Sequence, residues 1–278
     1  MTILHCGRFR LDLSRPLVMG ILNMTPDSFS DGGRHAGIEQ ALQHAREMVA
    51  EGADIIDIGG ESTRPNAPLV SPEQEMERVL PLLERLQDLG VPLSLDTRRR
   101  AVMAAALPIG VDLINDVSAL EDEGALALLA GSTAAICLMH KQGNPDTMQL
   151  RPDYRNVVDE VGAYLARRVA LCEEGGIARA RLLIDPGFGF GKTLEHNLQL
   201  LRGLPELARA AGGIPLLVGL SRKTMLGAVC DEDVPSERLG ASVAAALEAV
   251  RRGAHIVRVH DVKATRQALQ LWNAVKSA

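Results

Sequence analysis

Aromatic side chains are scarce in this sequence: four Phe, two Tyr and one Trp make up 3% of 278 residues. Any core folded from it is aliphatic. Cysteine is also rare. Cys6, Cys137, Cys172 and Cys230 are scattered without metal-ligand spacing, which argues against a zinc site and suits reduced thiols in a cytoplasm. No apolar run approaches the length of a membrane span, and Met1 to Arg10 lacks the apolar core of a secretory signal. Excess basic charge is missing as well. A net charge of -5 argues against a broadly basic nucleic-acid binder. Linker-like and low-complexity tracts are absent, so one domain over residues 1–278 is expected.

What is present is an ordinary globular balance, 46% hydrophobic and 23% charged. Within it one pattern repeats: an apolar strand ending in a polar residue. It is clearest in Leu182-Leu183-Ile184-Asp185-Pro186-Gly187-Phe188-Gly189-Phe190-Gly191-Lys192. An apolar run stopped by Pro and Gly reads as a buried parallel strand. The glycines after it permit positive φ and close approach of backbone N–H groups to a ligand. A plain Asp-Pro turn is the alternative.

The same grammar places strands at Leu17 to Asn23, Ala53 to Ile58, and Pro92 to Leu95 with Asp96 at its end. Others fall at Val111 to Ile114 before Asn115, and at Ala134 to Met139 before His140. The last two are Pro215 to Gly219, leading into Ser221-Arg222-Lys223, and Ala254 to Val259 before His260. Helical stretches alternate with them, from about Ile38 to Glu51, Pro72 to Leu89, Tyr154 to Glu174 and Ala264 to Val275. Ile3 to Leu13 suits a short hairpin covering one end. Eight βα units in this length predict an α/β fold, a (β/α)8 TIM barrel over about residues 17–276. A doubly wound open sheet is the other topology with this alternation.

Segments leaving strands (Thr25 to Gly37, Gly59 to Ser71, Lys141 to Pro152) are long and polar, whereas those entering strands are short. In a barrel the long ones share the C-terminal face, where active sites of this architecture lie. That face collects Asn23, Asp96, Asn115, His140, Asp185, Lys223, Arg258 and His260, with Thr63 and Arg64 from the second loop. Arg258 and His260, two apart in a strand, fit a joint grip on an anion. With Arg64 and Lys223 they form a cationic mouth on an acidic protein, suited to a phosphorylated substrate. Asp96 and Asn115 also suit turns or helix caps, and Arg64 a solvated loop charge. Lys223 sits near a helix start, where a cation is unfavourable. The small, apolar stretch Leu239 to Val250 suits either a tightly packed helix or a dimer contact.

Several of these stretches carry a resemblance. Asn23-Met24-Thr25-Pro26-Asp27-Ser28-Phe29-Ser30-Asp31-Gly32-Gly33, Asp57-Ile58-Gly59-Gly60-Glu61-Ser62-Thr63-Arg64-Pro65 and Asp185 to Gly191 resemble the signature stretches of the dihydropteroate synthase family. So do Ser221-Arg222-Lys223 and Arg258-Val259-His260, in the expected order from Met19 to Lys263. Arg98 and Arg99 vary only a flank.

The resemblance implies a cytoplasmic, homodimeric transferase of folate biosynthesis. It joins 6-hydroxymethyl-7,8-dihydropterin diphosphate to 4-aminobenzoate, giving 7,8-dihydropteroate and pyrophosphate. It also implies the roles: Asp96, Asn115, Asp185 and Lys223 on the pterin, and Arg258 on its ring and, with His260, on the diphosphate. Asn23 would help hold Mg2+, and Thr63 would touch substrate. The catalytic set is Asn23, Asp96, Lys223, Arg258 and His260. Phe29, Thr63, Arg64, Pro65, Phe190 and Ser221 would form the 4-aminobenzoate slot, which sulfonamides would contest. The first two loops are expected to order only when Mg2+ and pyrophosphate arrive. A pterin-binding methyltransferase domain would need a corrinoid partner and no diphosphate grip, and an inactive pterin-binding paralogue would lose loop residues.

Overall fold

Side chains along a strand alternate between faces, and that period divides this core in two. The computed structural model describes residues 2–24, 33–61, 70–143 and 152–276. Phe29, Thr63, Arg64 and Pro65, and the expected ordering of their loops, lie outside the described residues.

In chain order the elements are β1 (Ile3–Cys6), β2 (Phe9–Asp12), β3 (Leu17–Asn23), α1 (Gly33–Ala50), β4 (Ile55–Gly59), α2 (Pro72–Arg85) and β5 (Leu93–Asp96). Then follow α3 (Arg100–Ala106), β6 (Leu113–Asp116), α4 (Ala125–Ala130), β7 (Ala135–Met139), α5 (Val157–Glu174) and β8 (Leu182–Asp185). The chain continues with α6 (Leu194–Arg202), α7 (Leu204–Ala210), β9 (Leu216–Val218), α8 (Thr224–Cys230), α9 (Leu239–Arg251), β10 (Ala254–Val259) and α10 (Val262–Lys276). Strands β3 to β10 close into a parallel barrel, with β10 beside β3. The open doubly wound sheet is thereby excluded.

Outward-facing residues such as Val18, Ile56, Ile58, Leu95, Ile114, Leu138 and Val257 pack under the helices. Inward-facing Leu17, Met19, Ile55, Leu113, Ala135, Cys137, Leu183, Leu217 and Ile256 fill the lower barrel. Leu4, Cys6 and Leu13 join that inner cluster, so the β1–β2 hairpin closes the barrel floor. Its attachment is polar. Arg8 forks onto buried Asp112 through Nε at 3.0 Å and Nη2 at 2.9 Å, and Asp112 also accepts the Leu93 N–H. No helix among the described residues is long and apolar enough to cross a membrane.

The helices follow local rules. Ser71 caps α2 by accepting from Gln74 N while Gln74 returns a bond to the Ser71 N–H, a capping box with Pro72 at the first position. Val79, Leu82 and Leu83 then turn to the core. Boundaries shift from expectation at the polar ends: β4 begins at Ile55, and β6 runs on to Asp116. Asp116, not Asn115, is the turn residue, accepting the N–H groups of Ser118 and Leu120 at 2.7 Å.

Candidate active site

Parallel register sets the first part of the site. Asn23 pairs with Gly59, Gly59 with Asp96, and Asp96 with Asn115, so four strand ends stand in one row. One inward step deeper on β4 lies Asp57, fully buried. It accepts Ser94 Oγ at 2.5 Å, Arg258 Nε at 2.6 Å and Asn115 Nδ2 at 3.2 Å. Arg258 spans from there to Asp96 Oδ2 at 2.8 Å. Asp96 and Asn115 thus face this network and cap no helix; the N-cap of α3 is Arg99, which makes no side-chain cap bond.

The electrostatics follow from crowding. Burial pushes the Asp96 carboxyl up to about 7, with Arg258 pulling down and Asp57 pushing further up. Burial would lower the Arg258 pKa, but Asp57 and Asp96 outweigh it and raise it. The guanidinium remains charged between two carboxylates.

Across the mouth, the Asp185 carboxylate accepts Gly187 N–H at 2.7 Å, and burial raises its pKa against the pull of Lys223. Gly187 has φ +69°, and a Cβ there would sit 1.8 Å from the His140 carbonyl oxygen, so no other residue fits this turn. Lys223 Nζ donates to the Phe188 carbonyl and lies 5.1 Å from the Phe190 ring centre. It stands immediately before α8, where the helix end does not favour a cation. Burial pulls its pKa down to about 8 while Asp185 holds it up.

His260 lies just beyond β10, and its N–H and Nδ1 meet Ser221 Oγ at 3.2 Å and 3.1 Å. Arg222 stabilises this corner. With φ +59° it forks onto Asp261 at 3.1 Å and 2.5 Å, while its N–H donates to Ser242. Arg258 and His260 therefore reach different protein partners, although both belong to the mouth.

Other expectations change. His140 is buried and turned to Lys192 Nζ at 3.0 Å; burial, then Lys192, push its pKa down to about 3. It supports the wall. Arg98 and Arg99 are more than a flank: Arg99 holds Glu75 at 2.5 Å and Glu61 at 2.9 Å, and Arg98 meets Glu61 at 3.4 Å. They tie down the root of the second loop. Asp57 gathers Ser94, Asn115 and Arg258, and its signal was a carboxylate inside the run Ile55-Ile56-Asp57-Ile58. A charge buried in such a strand needs a partner.

Cys6, Cys137, Cys172 and Cys230 are free thiols, and all but Cys230 are buried. Cys137 lies below the mouth, where burial and the Asp185 charge raise its pKa well above the usual range, which disables it as a nucleophile. Among the described residues no three His, Cys, Asp or Glu side chains converge to hold a metal.

Known proteins share this arrangement. The family profile "Pterin binding enzyme" matches residues 19–260. A dihydropteroate synthase of Neisseria meningitidis serogroup B is 55% identical over 276 residues, 98% of this chain and 96% of its own. The structure of the Burkholderia cenocepacia dihydropteroate synthase complexed with 7,8-dihydropteroate has a TM-score of 0.90 at 51% identity, covering 99% of this chain and 97% of that one. The Yersinia pestis dihydropteroate synthase with a sulfonamide drug complex has a TM-score of 0.92 at 48% identity, covering 99% and 100%. By its barrel, its strand-end row and its similarity along the full length, the chain belongs to the dihydropteroate synthase family of pterin-binding enzymes.

Proposed function

We propose that this chain condenses 6-hydroxymethyl-7,8-dihydropterin diphosphate with 4-aminobenzoate, giving 7,8-dihydropteroate and pyrophosphate. The observation that carries the reading is the mouth itself: Arg258 fixed between Asp57 and Asp96, with Asn115 on the same carboxylate and Asp185 and Lys223 opposite.

An amino-pyrimidine edge presents neighbouring N–H donors, and a carboxylate accepts two of them in parallel. Asp185 supplies that acceptor, its plane set by the Gly187 N–H. Asn115 and Asp96 meet the remaining edge atoms, and Lys223 contributes a donor and positive charge. Arg258 packs its flat guanidinium on the pterin ring. With His260 it holds the diphosphate.

The bond between the methylene carbon and the diphosphate oxygen breaks, and its electron pair leaves with pyrophosphate. The electron-rich pterin stabilises the methylene cation. The aniline nitrogen then forms the new C–N bond and sheds a proton. No covalent enzyme intermediate is required, which agrees with the buried, disabled Cys137 thiol. Rate enhancement comes from positioning and from stabilising the departing charge.

The amide oxygen of Asn23 is a hard donor of the kind Mg2+ accepts beside diphosphate oxygens and water. It stands at the strand end next to Gly59 and would hold the ion there. Bound there, Mg2+ supplies charge neutralisation to the diphosphate.

Phe190 and Ser221 belong to the 4-aminobenzoate slot, together with Phe29, Thr63, Arg64 and Pro65 from the two leading loops. Sulfonamides share the aniline end and compete for the slot. The protein works as a homodimer through its last helices. Of the exposed large apolar side chains among the described residues, Val229, Val234, Leu239, Leu271 and Val275 lie on or beside α8, α9 and α10. Free thiols suit a cytoplasmic site. The function is tested by turnover: pyrophosphate release that depends on both substrates is expected, and its absence overturns the reading.

A further inference from the structure

Lys192 takes no part in the chemistry above, yet only 3% of it is exposed. Its ammonium donates to the Gly187 carbonyl at 2.9 Å, the Phe190 carbonyl at 2.9 Å and His140 Nδ1 at 3.0 Å. An ammonium has three donors and no acceptor, so the match is complete. A neutral amine would turn its lone pair toward one of these acceptors. The same contact fixes the His140 ring with its proton on Nε2, since Nδ1 accepts.

Two of these acceptors belong to the turn after β8, and the third is the His140 side chain just beyond β7. Further groups of that turn are committed too. Gly187 N–H goes to Asp185, Phe188 C=O to Lys223, and Gly189 N–H to Asn197 Oδ1 at 2.7 Å. Tyr154 OH donates to the Gly191 carbonyl at 3.0 Å. Asp185 and Lys223 therefore both lean on a turn whose carbonyls converge on one buried cation. Burying an ammonium is costly, and an apolar side chain of like volume would fill the space without that cost. What a cation adds is directed bonds and a positive charge near Asp185.

We propose that Lys192 is a positioning residue for pterin recognition: an ammonium hub that sets the Asp185–Gly191 turn, and through it Asp185 and Lys223, without touching substrate. The proposal rests on the reading that Asp185 and Lys223 hold the pterin. Burial lowers the Lys192 pKa and Asp185 raises it, so the carboxylate supports the charged hub in return.

The test uses the full chain with Lys192→Met, Lys192→Gln and, in parallel, Asp185→Asn. Calorimetry with the pterin diphosphate alone gives Kd; steady-state assays give kcat and KM; thermal melting reports folding. Lys192→Met is expected to raise Kd and KM about tenfold or more, the scale of one charge-assisted hydrogen bond, with kcat within about threefold. Lys192→Gln keeps two N–H donors and should recover part of the loss, remaining at least about threefold weaker than wild type. A folded Lys192→Met that binds within about twofold of wild type, while Asp185→Asn loses affinity, overturns the proposal even if its melting temperature falls. If Lys192→Met does not fold, Lys192→Gln decides by the same twofold mark. Unchanged affinity in Asp185→Asn would instead remove the reading of the pterin edge.

Discussion

Replacing Asp57 by Asn tests whether the buried network beneath the mouth is held by charge. The carboxylate accepts from Ser94 at 2.5 Å, Arg258 at 2.6 Å and Asn115 at 3.2 Å. An asparagine keeps the shape. Its carbonyl can still face Arg258, while the Ser94 hydroxyl rotates to accept from the new amide. What disappears is the negative charge. Orphaning a buried ion costs about 3–5 kcal/mol, but Arg258 retains Asp96 at 2.8 Å and is not orphaned. The smaller scale of a charged hydrogen bond applies, so Asp57→Asn should cost about 2 kcal/mol. For a chain of this size that lowers Tm by roughly 3–4 °C. Asp57→Ala, which leaves Arg258 Nε and Asn115 without their acceptor, should cost more. Scanning calorimetry on wild type and both variants decides. An Asp57→Asn protein melting within about 1 °C of wild type, or Asp57→Ala no worse than Asp57→Asn, would refute the reasoning.

Alkaline pH should weaken pterin diphosphate binding, because Lys223 loses its charge as pH rises through about 8. A KM profile flat across that pH contradicts the assignment of Lys223 to the substrate. A sulfonamide should inhibit competitively with 4-aminobenzoate at saturating pterin diphosphate, and inhibition indifferent to 4-aminobenzoate removes the shared slot. Sedimentation at micromolar concentration should give a dimer, and Leu271→Glu with Val275→Glu should shift it to monomer. A wild-type protein that sediments only as monomer removes the proposed interface.

Local sequence was enough for the barrel, because each strand announces itself by an apolar run and a polar stop. Asp96, Asn115 and Asp185 were legible for the same reason: each lies at the end of a strand or one residue short of it, and parallel register carries strand ends to one face. Partnerships were not legible. Arg258 and Asp57 are 201 positions apart, and nothing near either residue names the other. Lys192 was visible only as the end of a glycine-rich turn; its three acceptors are defined by how that turn folds back on β7. Likewise Arg98 and Arg99 looked incidental until Glu61, just past β4, and Glu75, on α2, were brought beside them. Backbone periodicity is written over a few residues, whereas charge pairing is settled by closure of the whole ring.

That ring has a sealed floor. With Leu4, Cys6 and Leu13 packed beneath Leu17, Met19 and Leu217, the barrel is a cup with one opening. Whatever enters must depart through the same rim, and the molecule nearest the floor is trapped beneath any that follow. On the proposed reading, a pterin seated on Asp185 would not exchange while the aromatic amine sits above it. The product would then leave whole through the same rim, and its departure would clear the way for the next pterin. The seal is double: inward side chains fill the lower barrel, and the hairpin covers them from beneath.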